Sequence, residues 1–451
     1  MQFRTWSIVL SAIGVTLGCS SSETRPQTLL VVDTDLPVWG DARIQNRLAA
    51  VDSLRIEVYD PAGTKLRASR ELLVANPSAW PLSFGIVGPA RVRLLLYRAS
   101  ANDAPVFVDR LVDVAGPGDP ANPIDRRRVQ LQGDCLGRAA SITGGRTCID
   151  GTTLDGQSNV STSIEGELAP SQNGTWSGAA LAPCSAAPVE GTVCVPGGFV
   201  VLGDPRFTGL VPARETTTPL RMAIVAPLWM DVTEYTVGRF RKRIREGWVP
   251  STDLPLGPAD AETLRDCAYR GADVTTQDAL PLNCVTRSLA AELCALDGGR
   301  LPTEAEWEHA ARGPGLGRTF PWGEPQPKCC TASVDRTFGA CIGTRLEPVG
   351  SHPSRAGCEG GGDVSVDGVL DLGGSVAELM GEPFIPLSEC MASWGPGIAR
   401  TGSCSGTSKT ALSKGGDFSS GGAIAAAPLR RECSGPASIF GFRCVHAGAA
   451  R

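Results

Sequence analysis

The chain has 451 residues, room for two or three separately cored domains, and its 42 Lys plus Arg set against 47 Asp plus Glu leave a formal charge of −5. That mildly acidic balance excludes an electrostatic nucleic-acid binder. With three scattered histidines and no Cys-x-x-Cys among 16 cysteines, a zinc or histidine-iron centre has no ligand pattern to stand on.

The start, MQFRTWSIVLSAIGVTLGCSSSETRPQ, places one early positive charge, Arg4, before a short apolar run and small residues, the pattern of an export signal. Thr16-Leu17-Gly18-Cys19 resembles a bacterial lipobox, with Thr where Leu is favoured. The resemblance implies a signal peptide over 1–18, lipidation of Cys19, a polar tether over 19–27 and attachment to the outer membrane of a bacterial envelope by acyl chains alone. No later run approaches the roughly 18 apolar residues that a membrane-spanning helix requires. Outside the cytoplasm disulfides persist. Setting Cys19 aside leaves an odd number of cysteines, so at least one thiol is free or pairs with another chain. The close pairs Cys135 with Cys148, Cys184 with Cys194, Cys267 with Cys284 and Cys390 with Cys404 read as loop staples.

Residues 28–133 carry strand signals. In LRIEVYD (54–60), Leu54, Ile56 and Val58 share a face before the turn DPAGT, and RVRLLLYR (91–98) repeats the alternation. Short strands between Pro, Gly, Asn and Asp predict a small all-β sandwich. Arg126 to Arg128 read as a solvated strand end. Residues 134–192, rich in Gly, Ser, Thr and Ala, read as a cysteine-stapled linker. A third region, 193–447, has many loops and few helices. Thr236 is placed to cap VGRFRKRIREG, in which Val237, Phe240 and Ile244 align before Gly247. Thr303 and Glu306 form a capping box for EAEWEHAAR, Glu304 and Glu306 suit the helix dipole, and Gly313 ends the helix.

GGRLPTEAEWEHAARG (298–313) followed by FPWGE (320–324) is similar to the central signature of the formylglycine-generating enzyme, or sulfatase-modifying factor, family. CVPGGFVVLGD, MDVTEYTVGRF, LNCVTRSLAAELCALDGGR, DLGGSVAELM, LSKGGDF and FGFRCV stand around it in family order. The resemblance covers roughly 193–447. It implies an α+β fold for the whole chain: a loop-rich domain related to C-type lectins, preceded by the sandwich.

It also implies particular sites. Asp371, Gly374, Val376 and Glu378 match a family calcium site of two side-chain oxygens and two backbone carbonyls, hard donors of the kind Ca²⁺ takes, so one calcium ion is expected. A second family calcium site falls near Cys341, where the carboxylate is missing, and none is expected there. Cys294 and Cys444 match a family disulfide. Active members follow K-G-G-S with two cysteines that hold Cu(I) and activate O₂ to convert a substrate cysteine to formylglycine. In KGGDFSSGGAIAAA (414–427) those two places are Ser420 and Ala425, and the family serine is Asp417. A hydroxyl and a methyl do not replace two thiolates, so no catalytic residue and no copper are expected. The expected function is that of an exported lipoprotein whose family domain serves as a binding or structural module for an unidentified peptide or glycan. The alternative is a divergent oxidase of substrate cysteines using other thiols.

Overall fold

The structure is a computed structural model. It describes residues 26–38, 50–98, 106–116, 124–207, 217, 220–251, 266–271, 273–336, 341, 345–353, 357–358, 361–387, 389 and 408–449. The expected signal peptide over 1–18, Cys19, Cys390 and Cys404 lie outside the described residues. Among the described residues no helix is long and apolar enough to cross a membrane.

The first seven strands are β1 (Gln27–Thr34), β2 (Ser53–Tyr59), β3 (Leu66–Leu73), β4 (Leu82–Ile86), β5 (Ala90–Tyr97), β6 (Val106–Val114) and β7 (Ile124–Leu131). They build two sheets. In one, β1 lies between β4, antiparallel, and β7, parallel. The other is antiparallel in the order β3-β2-β5-β6. The period-two pattern read in β2 and β5 has a physical counterpart: Leu54, Ile56, Leu94 and Leu96 are buried against Leu30 and Val32 of the first sheet. The arginine run is less solvated than its composition suggests. Arg128 pairs at 2.8 Å with the buried Asp33, and Arg127 pairs with Asp125.

The segment expected to be a linker packs closely. Its short strands are β8 (Arg146–Thr147), β9 (Gly156–Gln157) and β10 (Thr162–Ser163), and β10 adds to the first sheet beside β7. Trp176 is 4% exposed, its ring edge-on to Phe199 at 5.9 Å and its indole N–H donating to Asp134. Phe199 belongs to the next unit, which begins with β11 (Thr192–Val195), β12 (Gly198–Leu202), β13 (Arg221–Val225) and β14 (Leu228–Asp231). Phe199, Val201, Leu220 and Met222 join the sandwich core, so one apolar cluster spans both units. Sparse periodicity concealed this, because the segment is held by brief pairings and one large aromatic rather than by long strands.

The helices α1 (Val237–Arg245), α2 (Arg287–Leu296) and α3 (Glu304–Arg312) follow. Thr236 caps α1 through Arg239 N–H, Val237 and Phe240 are buried, and Gly247 follows with φ +89°. The reciprocal capping box of Thr303 and Glu306 opens α3. The remaining strands are β15 (Ala377–Pro383), β16 (Ala411–Lys414), β17 (Arg431–Cys433), β18 (Phe440–Gly441) and β19 (Val445–Ala447). They form the sheet β17-β16-β15-β18, while β19 pairs with β14.

Among the described residues six disulfides staple this arrangement. Three are the expected local pairs, Cys135–Cys148, Cys184–Cys194 and Cys267–Cys284. Cys294 on α2 is bridged to Cys444 across 150 residues, a closure that stabilises by about 3–5 kcal/mol in the chain-entropy account. Two more, Cys329–Cys341 and Cys330–Cys358, were not legible, because adjacent cysteines leave the choice of partner open.

Candidate functional site

The segment 414–427 leaves β16 beneath α3 and lies against the loop 371–376. Its two glycines permit the close approach. A Cβ on Gly415, whose φ is +81°, would meet Leu372 O at 2.8 Å, and one on Gly416 would meet Gly373 O at 2.4 Å. Phe418 N–H donates to Ser375 O, and the Phe418 and Ser420 carbonyls accept from Arg336 and Asp335.

Within that frame Asp417, Ser420 and Ala425 are each engaged by neighbouring side chains. Asp417 is fully buried and accepts from Arg431 Nη1, from Ser419 N–H and from the hydroxyls of Ser419 and Ser420. The hydroxyl at the first thiol position therefore serves a buried aspartate–arginine pair. Ala425, at the second, is fully buried in an apolar cluster with Phe320, Trp322, Ala332, Val334 and Leu429. The rings of Phe320 and Trp322 stack at 5.2 Å. Neither place offers a soft donor.

The one free cysteine among the described residues is Cys433, on β17. Its Sγ lies 3.0 Å from Gly435 O, and burial pushes the thiol up. A low-pKa thiol or a second thiol beside it is what reactivity would need, and Cys433 has the environment of an inert packing residue. The histidines are separate too. His309 Nε2 donates to Pro196 O at 2.8 Å, while His352 is bonded to Glu347 and to Cys330 O. Among the described residues no group of three or more His, Cys, Asp or Glu side chains is arranged to hold a metal ion.

The loop 371–378 contains a concentration of buried charge. Asp371 takes the left-handed conformation, φ +59°, and accepts from Gly350 N–H. Asp363 accepts from Gly373 N–H with both oxygens. Glu378 accepts from Arg443 Nε and Nη2, and from the Trp307 indole at 2.8 Å. Arg443 gives its remaining donors to the carbonyls of Asp231, Val232 and Leu370. Glu234, just beyond β14, is equally buried, and neither carboxylate oxygen has a hydrogen-bond partner. Burial, and then the charge of Asp371, pushes Glu234 well above the usual carboxylate range. Asp363 is pushed the same way by the same causes.

These contacts test the expected calcium set. Asp371 is buried, and burial raises its carboxyl above the ordinary value against the pull of Gly350 N–H and Arg443. Glu378 has both oxygens turned to a guanidinium and an indole, and the charge of Arg443 bears on Asp371 and Glu234 as well, so a cation in this loop would have to share these carboxylates with that guanidinium.

A second charged network was not anticipated from the sequence. Glu304 does more than face the helix dipole: it binds Arg221 at 2.7 Å and Arg430 at 2.8 Å, all three almost fully buried. Burial alone would raise Glu304, but Arg221, Arg430 and Lys414 hold it below the usual carboxylate range. One turn on, Glu308 accepts from Lys414 Nζ at 2.8 Å and from Arg312 at 3.0 Å. The available signal was local: Arg221 opens the apolar run RMAIV, and Lys414 ends the buried β16.

Residues 179–448 match the family described as the sulfatase-modifying factor enzyme 1-like domain. The chain belongs to the sulfatase-modifying factor family. Over 162 residues it is 31% identical to the formylglycine-generating enzyme of Streptomyces coelicolor, spanning 30% of this chain and 51% of that one. Over 158 residues it is 30% identical to the inactive C-alpha-formylglycine-generating enzyme 2 of Mus musculus, spanning 29% and 50%. It therefore spans about half the length of these curated relatives. Among solved structures it is similar to PvdO from Pseudomonas aeruginosa, with 18% identity, a TM-score of 0.41, and coverage of 59% of this chain and 99% of that one.

Proposed function

We propose that this chain is a non-catalytic member of the sulfatase-modifying factor family that serves as a binding or structural module in a bacterial envelope, held to the outer membrane by acyl chains on Cys19. The observation that carries the reading is the pair of thiol positions: Ser420 is bonded to Asp417, and Ala425 is sealed in an apolar cluster. The unpaired thiol of Cys433 supports it, being buried and raised. A relative named as inactive shows that family membership does not require the oxidation. The ligand class in this reading is a peptide or a glycan, received on the loop-rich face of the family domain. One test is direct. Reduced protein incubated with Cu(I), O₂ and a Cys-x-Pro-x-Arg peptide should leave the peptide mass unchanged, whereas a stoichiometric aldehyde product would overturn the reading. Likeness to the Streptomyces coelicolor enzyme favours the second reading, a divergent oxidase, and the same assay separates the two.

A further inference from the structure

The disulfides among the described residues are not equally open to a reagent. Cys135–Cys148, Cys267–Cys284 and Cys294–Cys444 have both cysteines at most 4% exposed. Cys184–Cys194 and Cys330–Cys358 are half-buried, with Cys184 Sγ 3.4 Å from Leu228 O and Cys358 Sγ 3.4 Å from the Thr331 hydroxyl. Among the described residues only Cys329–Cys341 has an exposed cysteine, Cys329, bonded to the buried Cys341. This bridge encloses the two residues that hold the segment 414–427 from its side. Asp335 N–H donates to Ser420 O at 2.9 Å, and Arg336 N–H donates to Phe418 O at 2.7 Å. Asp335 is itself in the left-handed conformation, φ +57°, and its carbonyl accepts from Cys341 N–H. A non-glycine residue stays in that conformation only where its surroundings over-determine it, and the bridge is one of those constraints. Bridge, turn and the two hydrogen bonds thus form a single latch.

We propose that Cys329–Cys341 is a site of thiol–disulfide exchange with an external dithiol, and that its reduction unlatches residues 417–420 from Asp335 and Arg336. Exposed disulfides are the labile ones, because the attacking thiolate must reach a sulfur. One thiolate of the dithiol attacks Cys329 Sγ, the bond to Cys341 breaks, and Cys341 leaves as a thiolate. The second thiolate then attacks its partner sulfur in the mixed disulfide and releases Cys329. Two electrons pass to the protein, the reductant departs as a disulfide, and the two protons it gives up end on Cys329 and Cys341. Cys330–Cys358 stays closed, so the change is confined to the latch. The assignment does not depend on whether the protein is catalytic.

The experiment takes the full, oxidised chain without denaturant through a series of dithiothreitol concentrations, quenches each with N-ethylmaleimide and maps the labelled peptides. Cys329 and Cys341 should label at a concentration at least about tenfold below the one that labels Cys135, Cys267 or Cys294. In the protein reduced only that far, the Asp335 and Arg336 amides should exchange hydrogen at least about tenfold faster, while the amides of α3 keep their protection. The double variant Cys329→Ser with Cys341→Ser should show the faster exchange without reductant and gain nothing from that concentration. Should it not fold, the reduction series on wild type decides alone. Labelling of Cys329 no earlier than of the buried cysteines, labelling of Cys330 and Cys358 first, or unchanged exchange at Asp335 and Arg336 once the bridge is open would overturn the proposal.

Discussion

Replacing Lys414 by Met tests whether the ion pair beneath α3 holds the segment 414–427 in place. Lys414 and Glu308 are both fully buried, with Nζ 2.8 Å from Oε2. Burial pushes the lysine below its ordinary value, and Glu308 and Glu304 oppose that push. Removing one partner of a buried pair costs about 3–5 kcal/mol, because the other is left as an uncompensated charge. Here Glu308 keeps Arg312 and Gly203 N–H on its other oxygen, which places the expectation at the lower end, about 3 kcal/mol. Methionine fills most of the lysine stem's volume, so the cavity term is small. Equilibrium urea unfolding of the oxidised chain at neutral pH measures the loss, which exceeds the usual 10–15% extrapolation error. Adding Glu308→Gln removes the unpaired anion and should recover about 1–2 kcal/mol, since Arg312 retains the Gly203 carbonyl. A single-mutant loss below about 1 kcal/mol, or a double mutant no more stable than the single, would refute the reasoning.

Three further outcomes are expected. Asp367, half-buried beside Val366 and with one unpartnered oxygen, is pushed up to about 6 by burial, against the pull of Arg318. A folded value above the unfolded one contributes stability below pH 4 that is lost as pH rises through about 6, so Asp367→Asn should stabilise at pH 8 by about 1 kcal/mol after solvent screening, and the gain should vanish toward pH 4. The shared apolar cluster predicts a single calorimetric transition for sandwich and family domain, and Trp176→Ala should lower it by about 3–5 kcal/mol, whereas two transitions of which one stays fixed would show independent cores. Cys19→Ala should move the protein from the membrane fraction to the soluble one, and a wild-type protein already soluble would remove the lipid anchor from the account.

What the sequence disclosed is what local chemistry encodes. The Thr303 capping box, the Thr236 cap, the alternation of Leu54 and Ile56 and the short cysteine staples each involve residues close in the chain. The order of the family segments was visible for the same reason, since each motif is short. Pairings across long separations were not. Arg430 meets Glu304 from 126 residues away, and nothing in either neighbourhood says that the two charges neutralise each other inside the core. Glu378 was visible as an acid at a ligand position, but not as the partner of Arg443, 65 residues further on. Glu234 escaped notice altogether: one glutamate in DVTEYTV looks like a solvated residue before a helix, and only the structure shows it buried with neither oxygen hydrogen-bonded.

Competition of the full-length protein, its disulfides left intact, against a chromophoric Cu(I) chelator tests most directly whether a thiolate copper centre is absent. With a serine hydroxyl committed to Asp417, an alanine methyl among aromatic rings and the one free thiol of the described residues buried on β17, the chelator should keep all of its copper at one equivalent of protein. Withdrawal of one equivalent of Cu(I), abolished by Cys433→Ser, would contradict the account and restore the chain to the oxidases.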